Sequence, residues 1–195
     1  MNVHLYILTI LTQEIANGQN RWVHRRQPRR LIADPQEGLQ WLTERPDLEL
    51  GEFDYNLFIR RIRTVVMGRA TYDWLVREGI SWPYGEQRVL VVTSRPLPDP
   101  IGPLETRTDV EALIAELRAL DDGDVWMLGG GKLQMAFIER GALDELEVYV
   151  ISQLLGGGYP LFPPTGFQRS LKLLSADQLG TGGARLHYSL EQGAT

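Results

Sequence analysis

Three consecutive glycines, Gly129–Gly131, stand between an apolar run typical of a buried strand, Val125–Leu128, and a segment with helical spacing, Lys132–Arg140. Glycine allows close approach of the backbone to a ligand and permits positive φ angles. The first turn of a helix adds free N–H groups and the positive end of the helix dipole. The combination is typical of an anion site suited to a pyrophosphate, although three glycines also make a tight turn without any ligand.

Two further predicted strands end in groups that hold anions. An arginine taken alone is more often a solvated surface residue, but ligands of parallel sheets bind outside the carboxyl ends of the strands, where such groups meet. Guanidinium groups and hydroxyls at that edge would bind phosphate through charge-assisted hydrogen bonds. The residues are Arg69 and Thr71 after Thr64–Met67, and Ser94 and Arg95 after Arg88–Thr93.

Strand-like and helix-like segments alternate from about Arg63 onward, which predicts an α/β protein with a mostly parallel central sheet. A closing antiparallel pair is expected from Leu171–Leu174 and Ala184–Leu190. The four expected sheet strands are Thr64–Met67, Arg88–Thr93, Val125–Leu128 and Leu146–Ser152, and the expected helices are Phe53–Ile62, Thr71–Arg77, Val110–Leu120 and Lys132–Arg140.

The composition narrows the class of protein. A chain of 195 residues is long enough for one domain with a sizeable core. Its net charge of -5 favours neither nucleic acid nor an anionic membrane as a partner. The absence of cysteine excludes disulfides, thiolate catalysis and cysteine-ligated metals, and we expect a cytoplasmic protein with no metal site.

Four short motifs occur in the order found in dihydrofolate-reductase-like proteins. The chain resembles that family from about Leu31 to Leu190, and within it most closely the reductase domain of bifunctional riboflavin-biosynthesis deaminase/reductases and its stand-alone relatives. The resemblance implies a three-layer dihydrofolate-reductase-like fold. The motifs are Gly68–Tyr72, Val91–Pro96, Leu128–Gly131, and Leu154–Gly158 with Pro160–Phe162.

The resemblance also implies a function. It indicates an NADPH-dependent reductase that transfers hydride to a small pterin- or pyrimidine-like heterocycle, and a homodimer. The catalytic acid stays unassigned: Asp34 and Asp54 are the carboxylates nearest the expected pocket, and either could serve as the acid, although a solvated surface position is the more common one for such residues. The implied cofactor-binding residues are Ala33, Arg69, Thr71, Ser94, Arg95, Gly129, Gly130, Gly131, Lys132 and Leu133, and the implied substrate-pocket residues are Trp41, Trp82 and Tyr84.

The N-terminal 30 residues depart from the family, so we divide the chain into an atypical segment, 1–30, and a reductase domain, 31–195. The family opens with a strand ending in Ser-x-Asp-Gly before the equivalent of Ile32, whereas this chain has Pro28 and three arginines in Arg26–Leu31. A buried central strand does not tolerate them, so we expect this segment outside the core and Val3–Leu11 in the vacant strand position.

Two explanations of the departure stay open. One is a divergent N-terminus. The other is a one-base shift of frame, because codons exist for Arg26–Leu31 that, read one base later, encode Ala-Ser-Leu-Asp-Gly-Phe. The missing motif also favours an alternative function, a nucleotide-binding protein without turnover.

Overall fold

A computed structural model describes residues 3–12, 29–36 and 45–190 of the chain. Within these residues, ten strands form one sheet. They are β1 Val3–Thr12, β2 Arg29–Ala33, β3 Ile62–Gly68, β4 Arg88–Val92, β5 Glu105–Arg107, β6 Asp124–Gly129, β7 Glu145–Ile151, β8 Tyr159–Pro160, β9 Lys172–Leu179 and β10 Gly183–Ser189.

Eight strands follow the order β5-β4-β3-β6-β1-β7-β10-β9 across the sheet. The six from β5 to β7 pair in parallel, and β10 is antiparallel to both β7 and β9. The mostly parallel sheet with an antiparallel C-terminal pair is therefore confirmed.

Helices cover both faces of this sheet, which makes the three layers that the resemblance implied. The helices are α1 Tyr55–Ile59, α2 Arg69–Arg77, α3 Val110–Arg118 and α4 Gly131–Glu139. On one face, α3 and α4 contribute Leu113 and Phe137 to a core built over Val66, Leu90 and other strand residues. On the opposite face, α1 and α2 pack over a second core that includes Val65 and Trp126.

The predicted helix Phe53–Ile62 is wrong in its length. A 3₁₀ turn, Gly51–Phe53, precedes a short helix α1 because Asp54 has extended backbone angles, φ -60° and ψ 143°. The Asp54 carboxylate instead accepts a hydrogen bond of 2.8 Å from the backbone N–H of Asn56 and so begins α1. Ile62 is already the first residue of β3.

The central strand position between β6 and β7 is occupied by β1, as the apolar alternation from Val3 to Leu11 suggested. The backbones of Arg29 and Arg30, which belong to the segment expected outside the core, join the sheet by pairing antiparallel with Thr12 and Leu11. Strand β2 lies off the main strand order, however, and also pairs with β8. Residues 13–28, with most of the arginine-rich segment, lie outside the described residues.

Candidate nucleotide-binding site

Two helices begin side by side at the carboxyl ends of neighbouring strands. Gly68 is the N-cap of α2 and Gly130 is the N-cap of α4. A Cβ atom on Gly68 would lie only 3.7 Å from the Cα atom of Gly130. Because a glycine cap has no side chain to accept from the first helical turn, both helix starts present free N–H groups and positive dipole ends at one place.

The three glycines of the turn leave the space beside the two helix starts free of side chains. Gly130 has φ +94°, a left-handed conformation that favours glycine. A Cβ on Gly129 would lie 3.0 Å from the Thr71 hydroxyl oxygen, and a Cβ on Gly131 3.0 Å from the Leu161 carbonyl oxygen. A side chain at any of these positions would therefore strain the backbone or fill the space next to the helix starts.

The end of β4 adds an exposed cation to the same edge. Thr93 is buried, and its hydroxyl both accepts from the Arg95 N–H and donates to the Arg95 carbonyl, each at 3.1 Å. This closed turn leaves Ser94 and Arg95 exposed. Arg69, at the start of α2, donates at 2.6 Å to Asp73 and at 3.1 Å to the Pro96 carbonyl, so it joins α2 to this turn.

Ala33 lies next to this edge because it contacts the segment that follows β7. Its backbone pairs with Tyr159 of β8, and a Cβ on Gly158, which has φ +143°, would collide with the Ala33 carbonyl oxygen. The same segment continues to Leu161, which contacts Gly131. The structure thus brings Ala33, the glycine turn and the starts of α2 and α4 around one edge of the sheet.

The other two predicted cofactor-binding residues, Lys132 and Leu133, differ in the exposure of their side chains. Lys132 is exposed in the first turn of α4, whereas Leu133 is 8% exposed and belongs to the hydrophobic core. Leu133 therefore offers the site its backbone N–H, and its side chain anchors α4 to the sheet.

The substrate-pocket role predicted for Tyr84 and Trp82 stays a prediction, and the structure shows where the two side chains lie. Tyr84 is 2% exposed and packs edge-on against Trp82 at 5.1 Å, in the core under α2. Both residues precede β4, and the cofactor-side residues Ser94 and Arg95 follow it, so a strand of about 13 Å separates the two groups. Burial raises the pKa of Tyr84. Trp41 lies outside the described residues.

The sequence did not predict a buried polar cluster that lies on the face of the sheet covered by α1. The Glu147 and Arg185 side chains are 3% and 8% exposed and form an ion pair of 2.5 Å. The Tyr149 hydroxyl donates to the same carboxylate at 3.1 Å. Burial, and then the charge of Glu147, raise the pKa of Tyr149. The one sign of this cluster in the sequence was the presence of a charged residue within each strand, Glu147 in β7 and Arg185 in β10.

In the described parts of the chain, no group of three metal-ligating side chains is present, and no helix has the length and apolarity that a membrane crossing needs.

The fold defines an α/β protein of the dihydrofolate-reductase-like class, with two glycine-capped helix starts at one edge of its sheet. A family model, RibD C-terminal domain, matches residues 8–184, and the chain belongs to that family. The match begins within β1, well before Leu31. Members of the family are reductase domains that generally use NADPH.

Two individual proteins are similar to this chain. The chain is 28% identical over 167 residues to the Bacillus subtilis (strain 168) protein YwjB, covering 81% of this chain and 90% of the relative. The crystal structure of a candidate riboflavin biosynthesis protein from Shewanella sp. PV-4 superposes with a TM-score of 0.76 at 22% identity, covering 98% of this chain and 100% of that one. The second comparison shows the fold.

Proposed function

We propose that this protein is an NADPH-dependent reductase that transfers hydride to a small pterin- or pyrimidine-like heterocycle. The observation that carries the proposal is the adjacency of two glycine-capped helix starts, at Gly68 and Gly130. Two positive helix ends and their free N–H groups suit the two phosphates of a dinucleotide.

Each residue of the edge has a distinct task in this proposal. The backbone of Gly129–Leu133 and the Thr71 hydroxyl bind the pyrophosphate, since these groups surround the space that the glycines keep clear. Arg95, exposed after β4, pairs with the 2′-phosphate that distinguishes NADPH from NADH. Ala33 lies where the chain closes over the nicotinamide. The cofactor supplies the hydride, and the protein's contribution is to bind and orient it.

A second candidate function is nucleotide binding without turnover. The observation that favours it is that Arg29 and Arg30, and not Ser-x-Asp-Gly, precede Ile32 in β2. Both candidates use the same phosphate edge, so they differ only in the fate of the bound cofactor. We also propose that the protein is a cytoplasmic homodimer whose partner is a small-molecule substrate.

Two measurements on the same preparation test the proposal. Titration with NADPH, followed by cofactor fluorescence, is expected to show saturable binding that is stronger than that of NADH. Absorbance at the NADPH band, followed with pterin and pyrimidine substrates, is expected to fall with time. Binding without any oxidation would support the second candidate, and absence of binding would contradict both.

A further inference from the structure

Two acceptors hold the side chain of Arg69, the first residue of α2, in one orientation. Its Nε atom donates to the Asp73 carboxylate at 2.6 Å, and its Nη1 atom donates to the Pro96 carbonyl at 3.1 Å. The Arg69 side chain is 24% exposed, so the guanidinium group lies at the surface without being fully solvated. These two bonds leave Nη2 available to a ligand oxygen.

Helix stability does not explain this ion pair. A cation at the first residue of a helix lies at the positive end of the helix dipole. An arginine that precedes its acidic partner by four residues is also the less favourable order of such a pair. Because Asp73 is 43% exposed, the pair contributes little to the stability of the fold. Its main effect is therefore to fix where the guanidinium group points.

The loop that supplies the second acceptor is itself fixed. Leu97 and Ile101, which follow Pro96 in this loop, pack against the core under α2. The Ile101 N–H also donates to the hydroxyl of the buried Tyr72 at 3.2 Å. The Pro96 carbonyl is therefore a fixed point, and Arg69 is tied both to its own helix and to this loop.

These contacts bring two cations to one turn of the chain. Arg95 is exposed, and the carbonyl that Arg69 contacts belongs to the next residue, Pro96. Two guanidinium groups at one turn repel each other unless an anion lies between them. A phosphate monoester, with nearly two negative charges, matches this pair of cations better than a phosphodiester with one.

We propose that Asp73 is a positioning residue for cofactor selectivity, which holds the Arg69 guanidinium beside Arg95 so that both bind the 2′-phosphate of NADPH. The inference rests on the proposed function and adds to it a residue that touches no part of the cofactor. The physical advantage is preorganisation: an arginine that is already oriented loses less side-chain freedom when the phosphate binds.

Two substitutions of Asp73 separate orientation from charge. Asp73→Asn keeps an oxygen that accepts from the Arg69 Nε atom, whereas Asp73→Ala keeps none, and both remove the negative charge. We expect NADPH to bind Asp73→Ala about two- to tenfold more weakly than Asp73→Asn, the cost of immobilising one long side chain. NADH is expected to bind the two variants equally. Both affinities are measured by fluorescence titration.

The same two substitutions in an Arg69→Ala background test whether Asp73 acts through Arg69. Without the guanidinium group there is nothing to orient, so we expect Asn and Ala at position 73 to give equal NADPH affinities. Adenosine 2′,5′-bisphosphate, which carries the 2′-phosphate but no nicotinamide, is expected to repeat the difference between Asp73→Asn and Asp73→Ala when Arg69 is present.

Glu111 provides a matched control. Its carboxylate accepts from the Nε atom of Arg140 at 2.5 Å, at the other end of α4 from the glycine turn. Glu111→Gln and Glu111→Ala therefore make the same two changes in a pair that is remote from Arg95. We expect these two variants to bind NADPH equally.

Equal NADPH affinities of Asp73→Asn and Asp73→Ala would overturn the inference, as would an equal difference for NADH or a difference that persists without Arg69. Absence of NADPH binding by the wild type is a separate result, which would refute the proposed function on which the inference rests.

Discussion

Gly68 and Gly130 approach so closely that a Cβ atom on Gly130 would lie 3.4 Å from the Cα atom of Gly68. The contact joins the N-terminus of α2 to that of α4 and leaves no room between them for a side chain. This single relationship brings together, at one edge of the sheet, two strand–helix connections that are about 60 residues apart in the chain.

Gly130→Ala is therefore expected to weaken NADPH binding by about tenfold or more. The new methyl group would press on Gly68, and alanine at φ +94° would push the backbone of the turn away from its present course. The measurement is fluorescence titration with NADPH.

Gly141→Ala is the control for the strain alone. Gly141 has φ +64° with nothing within 4 Å of a built Cβ, so alanine there carries a similar backbone cost of about 1–2 kcal/mol away from the edge. We expect Gly141→Ala to lower the melting temperature and to keep the NADPH affinity. An equal loss of affinity in both variants would show that Gly130 acts through stability only.

Arg95→Ala is expected to weaken NADPH binding by about 1.5–3 kcal/mol, the value of a lost hydrogen bond to a charged group, and to leave NADH binding nearly unchanged. The reason is that only NADPH carries the 2′-phosphate that we assign to this exposed cation. Both affinities are measured by titration. Arg77→Ala, which removes an exposed arginine at the end of α2, is the control, and an equal loss for both cofactors in Arg95→Ala would refute the assignment.

Acid should weaken the fold partly through Glu105. Hydrogen bonds from Arg88 and then Arg107 hold the pKa of Glu105 at about 2, below its usual 4.5. Because the folded-state pKa is lowered, the stabilisation is complete above about pH 4.5 and is lost as the pH falls toward 2.

Urea denaturation of Glu105→Gln tests this pH dependence. We expect its free energy of unfolding at pH 7 to lie about 0.2–1 kcal/mol below that of the wild type, a small value because the side chain is 48% exposed. The difference should shrink as the pH falls below about 4.5. Glu139→Gln, on the exposed end of α4, is the control. A difference that stays constant down to pH 3 would contradict the role of Glu105.

We expect a homodimer, as the resemblance to small reductases implied. Light scattering at micromolar concentration is expected to give about twice the chain mass of 22.1 kDa. A monomer at that concentration would contradict the expectation.

The coding DNA around Trp22–Ile32 decides between the two explanations of the N-terminus. If the next frame encodes Ser-Leu-Asp-Gly before Ile32, restoring that frame is expected to raise the melting temperature and strengthen NADPH binding, because the family strand would then lead directly into the cofactor edge. Codons that cannot encode this motif in the next frame would refute the frame-shift hypothesis.

The sequence by itself determined most of the sheet strands and the longer helices, and it predicted that glycines would stand at the start of α4. Runs such as Arg88–Val92 form strands because alternating or continuous apolar residues bury well in a sheet, and the glycines before α4 mark the turn because few other residues tolerate its geometry. Helical spacing failed at Phe53–Ile62, where Asp54 bonds to the backbone of Asn56 and interrupts the helix.

Tertiary structure alone decided which side chains share a space. Tyr84 is core and Arg95 is exposed, although both flank the same strand, because burial depends on what packs against each residue. Glu147 and Arg185 lie 38 positions apart and meet only because β7 and β10 are neighbours in the sheet. Pairing between strands distant in the chain depends on the whole sheet, so no local pattern in the sequence could have brought this ion pair together.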